Sequence, residues 1–405
     1  MPSDILPNLG RGRRYLAIPG PSVIPDRVLN AMHQAAPNIY AGALPDMMPD
    51  LVRDLRAAAC TRQHVAIYIA NGHGAWEAAL ANTCAPGAGV LSLPTGRFGH
   101  GWADMARGLG LEVTQIDFGR RTPVDPQQVE DALRADRDQR IRVVLATHVD
   151  TASTVRNDIP AIRAAMDAAG HPALLMVDAI ASLGCDPLRM DAWGVDVVVG
   201  ASQKGLMTPP GLGLLWISDK ALAASRQLGL RSPYWTWDRR IDADAFYQYF
   251  GGTAPTHHLY GLRAALDMLI HDEGLEAAWV RHHRLARAVW AAVEAWGAGG
   301  AMALNIANPA QRSHAVTSLR LEAPDATRLR QWTETQAGLT LGIGLGMAEP
   351  DDPAWHGFFR LAHMGHVNAH MVLGALGVID AGLKALHIAH GPGALDGATT
   401  ALLAP

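Results

Sequence analysis

Cysteine is scarce in this chain: 405 residues hold only Cys60, Cys84 and Cys185, with no Cys-x-x-Cys pair and no even-numbered framework. Reduced thiols in a cytoplasmic protein are the simplest account, and no thiol stands in a catalytic context. Charge is also sparse, at 18% of residues with a net of -4, so nothing provides a basic footprint for nucleic acid or an anionic membrane. No uninterrupted apolar run reaches membrane-spanning length. Arg11, Arg13 and Arg14 have no apolar segment behind them, so neither a spanning helix nor a secretory leader is expected. Internal repeats and low-complexity tracts are missing. What is present, 49% hydrophobic residues over a length sufficient for two or three domains, suits a compact enzyme of small-molecule chemistry.

From about residue 64, short β-branched runs alternate with helical patterns, the signature of a mainly parallel sheet covered by helices. Strands are expected at 66–70, 90–93, 112–116, 141–146, 173–177, 195–199 and 212–216, each ending near Gly, Pro, Asp or Thr. Ligands of open α/β sheets gather at carboxyl ends of strands, where residues 71–74, 95–98, 148–153, 178 and 200–204 fall. From Thr256 to Trp296 the pattern is helical, with Leu259, Leu262, Ala265, Leu266 and Leu269 on one face. Beyond it lies a smaller α/β layer with strands at 315–321 and 359–363 and a glycine-rich stretch at 338–346. The organisation expected is an N-terminal arm at 1–20, a large domain at 21–260 and a small C-terminal domain at 261–405.

Two residues point to chemistry. Asp178 ends one apolar run, and Lys204 follows another in Gly200-Ala-Ser-Gln-Lys-Gly205. A lysine amine that forms a Schiff base and a carboxylate that keeps a pyridine nitrogen protonated are what pyridoxal 5'-phosphate requires. Taken singly, each has an ordinary reading as a solvated lysine and a turn aspartate. The apolar run Val195–Val199 before Lys204 and Met207-Thr-Pro-Pro-Gly-Leu-Gly213 after it weaken that reading.

Other strand ends supply a setting. Asn71-Gly72-His73-Gly74 follows a strand and opens a helix, where free N–H groups and the helix dipole suit a phosphate. Phe98, in Thr95-Gly-Arg-Phe-Gly99, could lie on a pyridine ring or simply in the core. Thr151, in Thr147-His-Val-Asp-Thr-Ala-Ser153, could hold a phenolic oxygen. Arg360, inside the apolar strand Phe359-Arg-Leu-Ala-His363, suits a clamp on a substrate carboxylate, with a snorkelling or salt-bridged arginine as the alternative. His363, His366 and His370 have helical metal spacing but no acidic or cysteine partner, so no metal is expected. Gly342-Ile-Gly-Leu-Gly346 imitates a dinucleotide loop without a βαβ unit around it.

With those residues in view, the sequence resembles the fold-type I, class V aminotransferases of the serine–glyoxylate and alanine–glyoxylate group. The likeness runs from Ile18-Pro-Gly-Pro-Ser22 to Arg360-Leu-Ala-His-Met-Gly365. It is sharpest in Val177-Asp-Ala-Ile-Ala-Ser-Leu-Gly184, Met190-Asp-Ala-Trp-Gly-Val-Asp196, Ser202-Gln-Lys-Gly205 and Pro209-Pro-Gly-Leu-Gly213. It implies a large domain built on a seven-stranded sheet, a smaller C-terminal domain and a homodimer with active sites at the interface. Lys204 would carry the cofactor, Asp178 would pair with the pyridinium and Phe98 would stack on the ring. Thr151 would touch the phenolic oxygen, while Gly72, His73, Gly74, Ser182 and Gln203 would complete the cofactor pocket. Thr253, in Thr253-Ala-Pro255, would reach the partner's cofactor. Arg360 would take the substrate carboxylate beside Gly20, with Tyr40 at the entrance, where the family's His-Arg-Ser-Pro stretch becomes Tyr40-Ala-Gly-Ala-Leu-Pro45. A family tyrosine is Phe250 here, next to Tyr249, and the family's Glu-containing loop carries Asp150.

The reaction implied is ping-pong transfer of an amino group from a small L-amino acid (serine, alanine or aspartate) to glyoxylate. Ureidoglycine–glyoxylate and pyridoxamine–pyruvate aminotransferases are rivals within the fold, and a non-catalytic protein that has kept the fold is a rival outside catalysis. Cysteine desulfurases need a late reactive cysteine, and none follows Cys185.

Overall fold

A computed structural model of the chain describes residues 9–229, 232–241 and 243–404; residues 1–8 of the expected arm lie outside these. The large sheet contains seven strands: β2 (His64–Ala70), β3 (Gly89–Leu93), β4 (Glu112–Gln115), β5 (Ile141–Thr147), β6 (Leu174–Asp178), β7 (Val197–Ala201) and β8 (Gly211–Ile217). They lie in the order β2-β8-β7-β6-β5-β3-β4. All seven expected strands are present, the one expected at 195–199 lying two residues later. Only β8 runs antiparallel to its neighbours. The reason is length: residues 202–210 are too few for a crossover to a parallel strand, so the chain doubles back.

Alternation along these strands divides the core into two layers. Leu91, Leu93, Val144, Ala146, Leu175 and Val177 pack on one face with the helix Met48–Ala58. Val90, Val143, Leu145, Leu174 and Met176 pack on the other, beneath the helices Gly72–Thr83 and Arg97–Gly108. Strands β3, β6 and β7 are buried throughout, as expected for strands covered on both faces.

The second sheet has the order β1-β11-β12-β10-β9, from β1 (Tyr15–Ala17), β9 (Ala303–Leu304), β10 (Val316–Arg320), β11 (Leu339–Ile343) and β12 (Phe358–Ala362). The expected arm thus contributes an edge strand, with Leu16 opposite Thr340 of β11 in parallel register. The glycine-rich stretch is β11 itself. A Cβ on Gly342 would come within 2.7 Å of Pro19 and 3.2 Å of Arg360, so the glycine lets β12 and the arm close together and needs no dinucleotide. The two hydrophobic cores part within the helix Leu275–Gly297, where Ala278 belongs to the first and Leu285 to the second. No helix among the described residues is long and apolar enough to cross a membrane.

Candidate active site

Asp178 is the last residue of β6, opposite Thr147 of β5 and Val199 of β7. It continues the face of Leu174 and Met176, so its carboxylate emerges under the helix Gly72–Thr83. There Oδ2 accepts the indole N–H of Trp76 at 3.1 Å and Oδ1 accepts the Ile180 N–H at 2.7 Å. Only 3% exposed, the carboxyl is pushed up to about 7 by burial, helped by the charge of Asp150 and opposed by its hydrogen bonds and Lys204.

Lys204 follows β7. Its ammonium nitrogen donates to the Pro19 carbonyl, and its own carbonyl accepts the Ser22 hydroxyl at 2.7 Å. Burial pulls the amine down to about 7, with Arg360 adding repulsion and Asp178 resisting. Gly20 adopts φ +101° in the same segment, and a Cβ there would stand 2.7 Å from the Lys204 Nζ. Only glycine gives both that backbone and that space.

Arg360 reaches this point from the small sheet. Phe359 and Leu361 enter the second core, so alternation along β12 turns Arg360 toward the large domain. Its Nη1 donates to the Thr151 carbonyl and its Nε to the Ile343 carbonyl, both at 2.8 Å. Burial lowers it to about 10. Thr151 is thus fixed beside Arg360 through its backbone.

The helix Gly72–Thr83 opens under an Asn71 cap, whose Oδ1 accepts from the His73 N–H at 3.1 Å and the Gly74 N–H at 3.3 Å. Burial, and then the charge of Arg97, lower the proton affinity of His73. The Phe98 ring meets Trp76 edge-on with centroids 6.4 Å apart. Gln203 Oε1 is buried without a partner among the described residues. Ser182 is engaged elsewhere, 2.9 Å from Nδ1 of His148.

Two expected site residues lie at the surface of the single chain. Tyr40 is 88% exposed, and Thr253 is also exposed. His363 is committed to Thr317 Oγ1 at 2.9 Å and to the His314 carbonyl at 2.8 Å. It does not gather with His366 and His370; among the described residues the one group spaced for a metal is Asp54, Asp267 and His271.

Sequence reasoning missed Trp76, Pro19 and the part played by Asp150. Asp150 caps the helix Arg97–Gly108 through the Phe98 N–H at 2.8 Å and the Gly99 N–H at 3.1 Å, and clamps its own loop through Ala152 at 2.9 Å. A signal existed for Trp76: it lies four residues after Gly72, on the same helical face as the turn that opens the helix.

A buried lysine amine, a buried carboxylate without a cationic hydrogen-bond partner, an unpartnered Gln203 oxygen and a glycine left bare beside the amine fit a pyridoxal 5'-phosphate site. The chain belongs to the class V aminotransferase family, whose model matches residues 14–351; Arg360 lies beyond the matched stretch. It is a transaminase by that membership. The serine–glyoxylate aminotransferase of Methylorubrum extorquens is 38% identical over 92% of this chain and 93% of its own. The L-aspartate–glyoxylate aminotransferase of Paracoccus denitrificans is 36% identical over 90% of this chain and 89% of its own. Among solved structures, pyridoxamine–pyruvate aminotransferase from Mesorhizobium loti superposes with a TM-score of 0.84 at 26% identity, covering 96% of both chains.

Proposed function

We propose that this protein is a pyridoxal 5'-phosphate-dependent aminotransferase that moves an amino group from a small L-amino acid to glyoxylate by a ping-pong mechanism. The observation that carries the reading is the buried Lys204 amine, held at a backbone carbonyl between the Asp178 carboxylate and the Arg360 guanidinium. The glyoxylate acceptor rests on the relatives' printed names.

The cofactor, when bound, supplies an electron sink that makes the Cα proton of an amino acid acidic. Lys204 would hold it covalently, Asp178 would keep its pyridine nitrogen protonated and Phe98 would cover its ring. Gln203, the Gly72–Gly74 backbone and the partner's Thr253 would hold its phosphate. Arg360, anchored through Nε and Nη1, has Nη2 free of any described partner to receive the substrate α-carboxylate. The Gly20 backbone leaves room beside the Lys204 amine. Once the donor's amine has replaced it on the cofactor, the freed Lys204 Nζ, whose proton affinity burial brings near neutrality, would take the proton from the donor Cα. It returns a proton to Cα of the glycine formed from glyoxylate in the second half. The donor leaves as its 2-oxo acid, oxidised by two electrons at Cα while glyoxylate is reduced by two to glycine, so the amino group and an electron pair pass together and no outside oxidant is needed.

The exposed Thr253 and Tyr40 support a homodimer in which each chain completes the other's pocket. The test is single-turnover mixing of cofactor-loaded protein with L-serine, L-alanine, L-aspartate or pyridoxamine, monitored by visible absorbance. Bleaching by one amino acid and its reversal by glyoxylate are expected. Bleaching by pyridoxamine alone would transfer the assignment to the pyridoxamine–pyruvate reading, and a protein with no visible band after cofactor addition would refute the site.

A further inference from the structure

Trp76 is among the most deeply buried of the chain's eleven tryptophans, at 1% exposure. Its side chain touches three parts of the site. The indole plane stacks on Trp102 with centroids 5.8 Å apart and an interplanar angle of 13°. His73 of the Gly72–Gly74 turn lies 4.7 Å away and Phe98 6.4 Å away. The indole N–H, locked in direction by these rings, donates to Asp178 Oδ2 at 3.1 Å. The Ile180 N–H is the other donor to that carboxylate among the described residues, and it takes Oδ1. Lys204 and Asp150 are the charged groups whose fields reach it. Among the described residues nothing cationic bonds to Asp178, so these two neutral donors fix its orientation and oppose the rise in basicity that burial causes.

We propose that Trp76 is a positioning residue of the transamination: its indole N–H fixes the Asp178 carboxylate and keeps the proton of the Asp178–pyridine pair on the pyridine side. The proposal rests on the reading of the site given above. A carboxylate that loses a hydrogen-bond donor becomes more basic. Without the indole N–H, Asp178 would draw the shared proton to itself and leave the ring a weaker electron sink. A neutral ring nitrogen also depresses the proton affinity of the lysine–cofactor linkage less than a pyridinium does, so the visible band would titrate at higher pH.

The experiment is a pH titration of the visible band in cofactor-loaded wild type, Trp76→Phe and Trp102→Phe, together with cofactor affinity. Trp76→Phe keeps a ring in the stack and deletes the donor, whereas Trp102→Phe changes the stack and spares it. Trp76→Phe is expected to raise the midpoint by about one pH unit and to weaken cofactor binding about fivefold. Trp102→Phe should leave the midpoint in place. A folded Trp76→Phe protein with the wild-type midpoint and affinity would overturn the proposal, as would equal shifts in both variants, which would mark a packing effect. Should Trp76→Phe not fold, wild-type protein labelled with 15N at its indoles decides: one N–H signal must move on cofactor loading and again through the visible midpoint, and an unmoved set overturns the role. Failure of the underlying reading looks different: the wild type forms no visible band, or the band survives in Lys204→Ala.

Discussion

Asp54 and Asp178 expose almost equally little surface, at 2% and 3%, although Asp178 lies deeper in the protein, and their carboxyls are driven in opposite directions. Burial alone would raise both. At Asp54 it is outweighed by Arg53 Nε at 2.8 Å, His271 Nε2 at 2.7 Å and Arg263 Nη2 at 2.5 Å, and the group rests at about 2. At Asp178 only an indole and a backbone N–H are supplied, and the group rises to about 7. The first carboxylate is saturated by the protein and ties the helix Met48–Ala58 to the helix Thr256–Leu266 and its π-helical extension. The second has no cationic hydrogen-bond partner among the described residues. The difference teaches that a buried charge left short of partners marks a place for a ligand, whereas a satisfied one marks a joint.

The largest way to break this comparison is at the joint. Asp54→Ala leaves Arg263 and His271 with less counter-charge and should cost about 3 kcal/mol in chemical denaturation, while leaving the visible band's pH midpoint unchanged. At the site, Arg360→Lys keeps the charge and loses the fork. Donor KM should rise roughly 50-fold, equivalent to about 2 kcal/mol, with a smaller change in kcat on steady-state analysis. Lys204→Met should abolish turnover and yet stabilise the cofactor-free protein by about 1–2 kcal/mol at pH 7, read from thermal melts. The sign follows from linkage. Lys204 has a folded pKa near 7, below its ordinary 10.5, so its contribution is complete only at alkaline pH and is lost as pH falls through about 7. The wild type should therefore close the gap to Lys204→Met as pH rises from about 7 to about 10. The smallest effect is expected at the proposed subunit interface: if Thr253 reaches the partner's cofactor, Thr253→Ala should weaken cofactor affinity about fivefold through loss of one hydrogen bond, in equilibrium dialysis.

How much of this was legible in the sequence depended on how local each signal was. The seven strands of the large sheet announce themselves through β-branched runs, and Asp178 and Lys204 through the apolar segments that precede them. Strand β1 has three residues and β9 two; they exist because an established sheet offers an edge, which no local pattern encodes. The antiparallel sense of β8 was readable from its short connection but hides behind a burial pattern like that of its parallel neighbours. Trp76 meets Asp178 across 102 positions of sequence, and Asp150 meets Phe98 across 52. The two hydrophobic cores part along the continuous helix Leu275–Gly297, and helical periodicity does not change where the partner layer does.

The segment 15–22 is fastened at both ends. Through β1 it is a strand of the small sheet, and through Pro19 and Ser22 it grips the loop that bears Lys204, with the Ser22 N–H on the Gln203 carbonyl at 2.9 Å. Arg360 rides on that same small sheet. The arm therefore bridges the two sheets: a displacement of the small sheet against the large one would shift Pro19 against the Lys204 amine and Arg360 against the Thr151 carbonyl together.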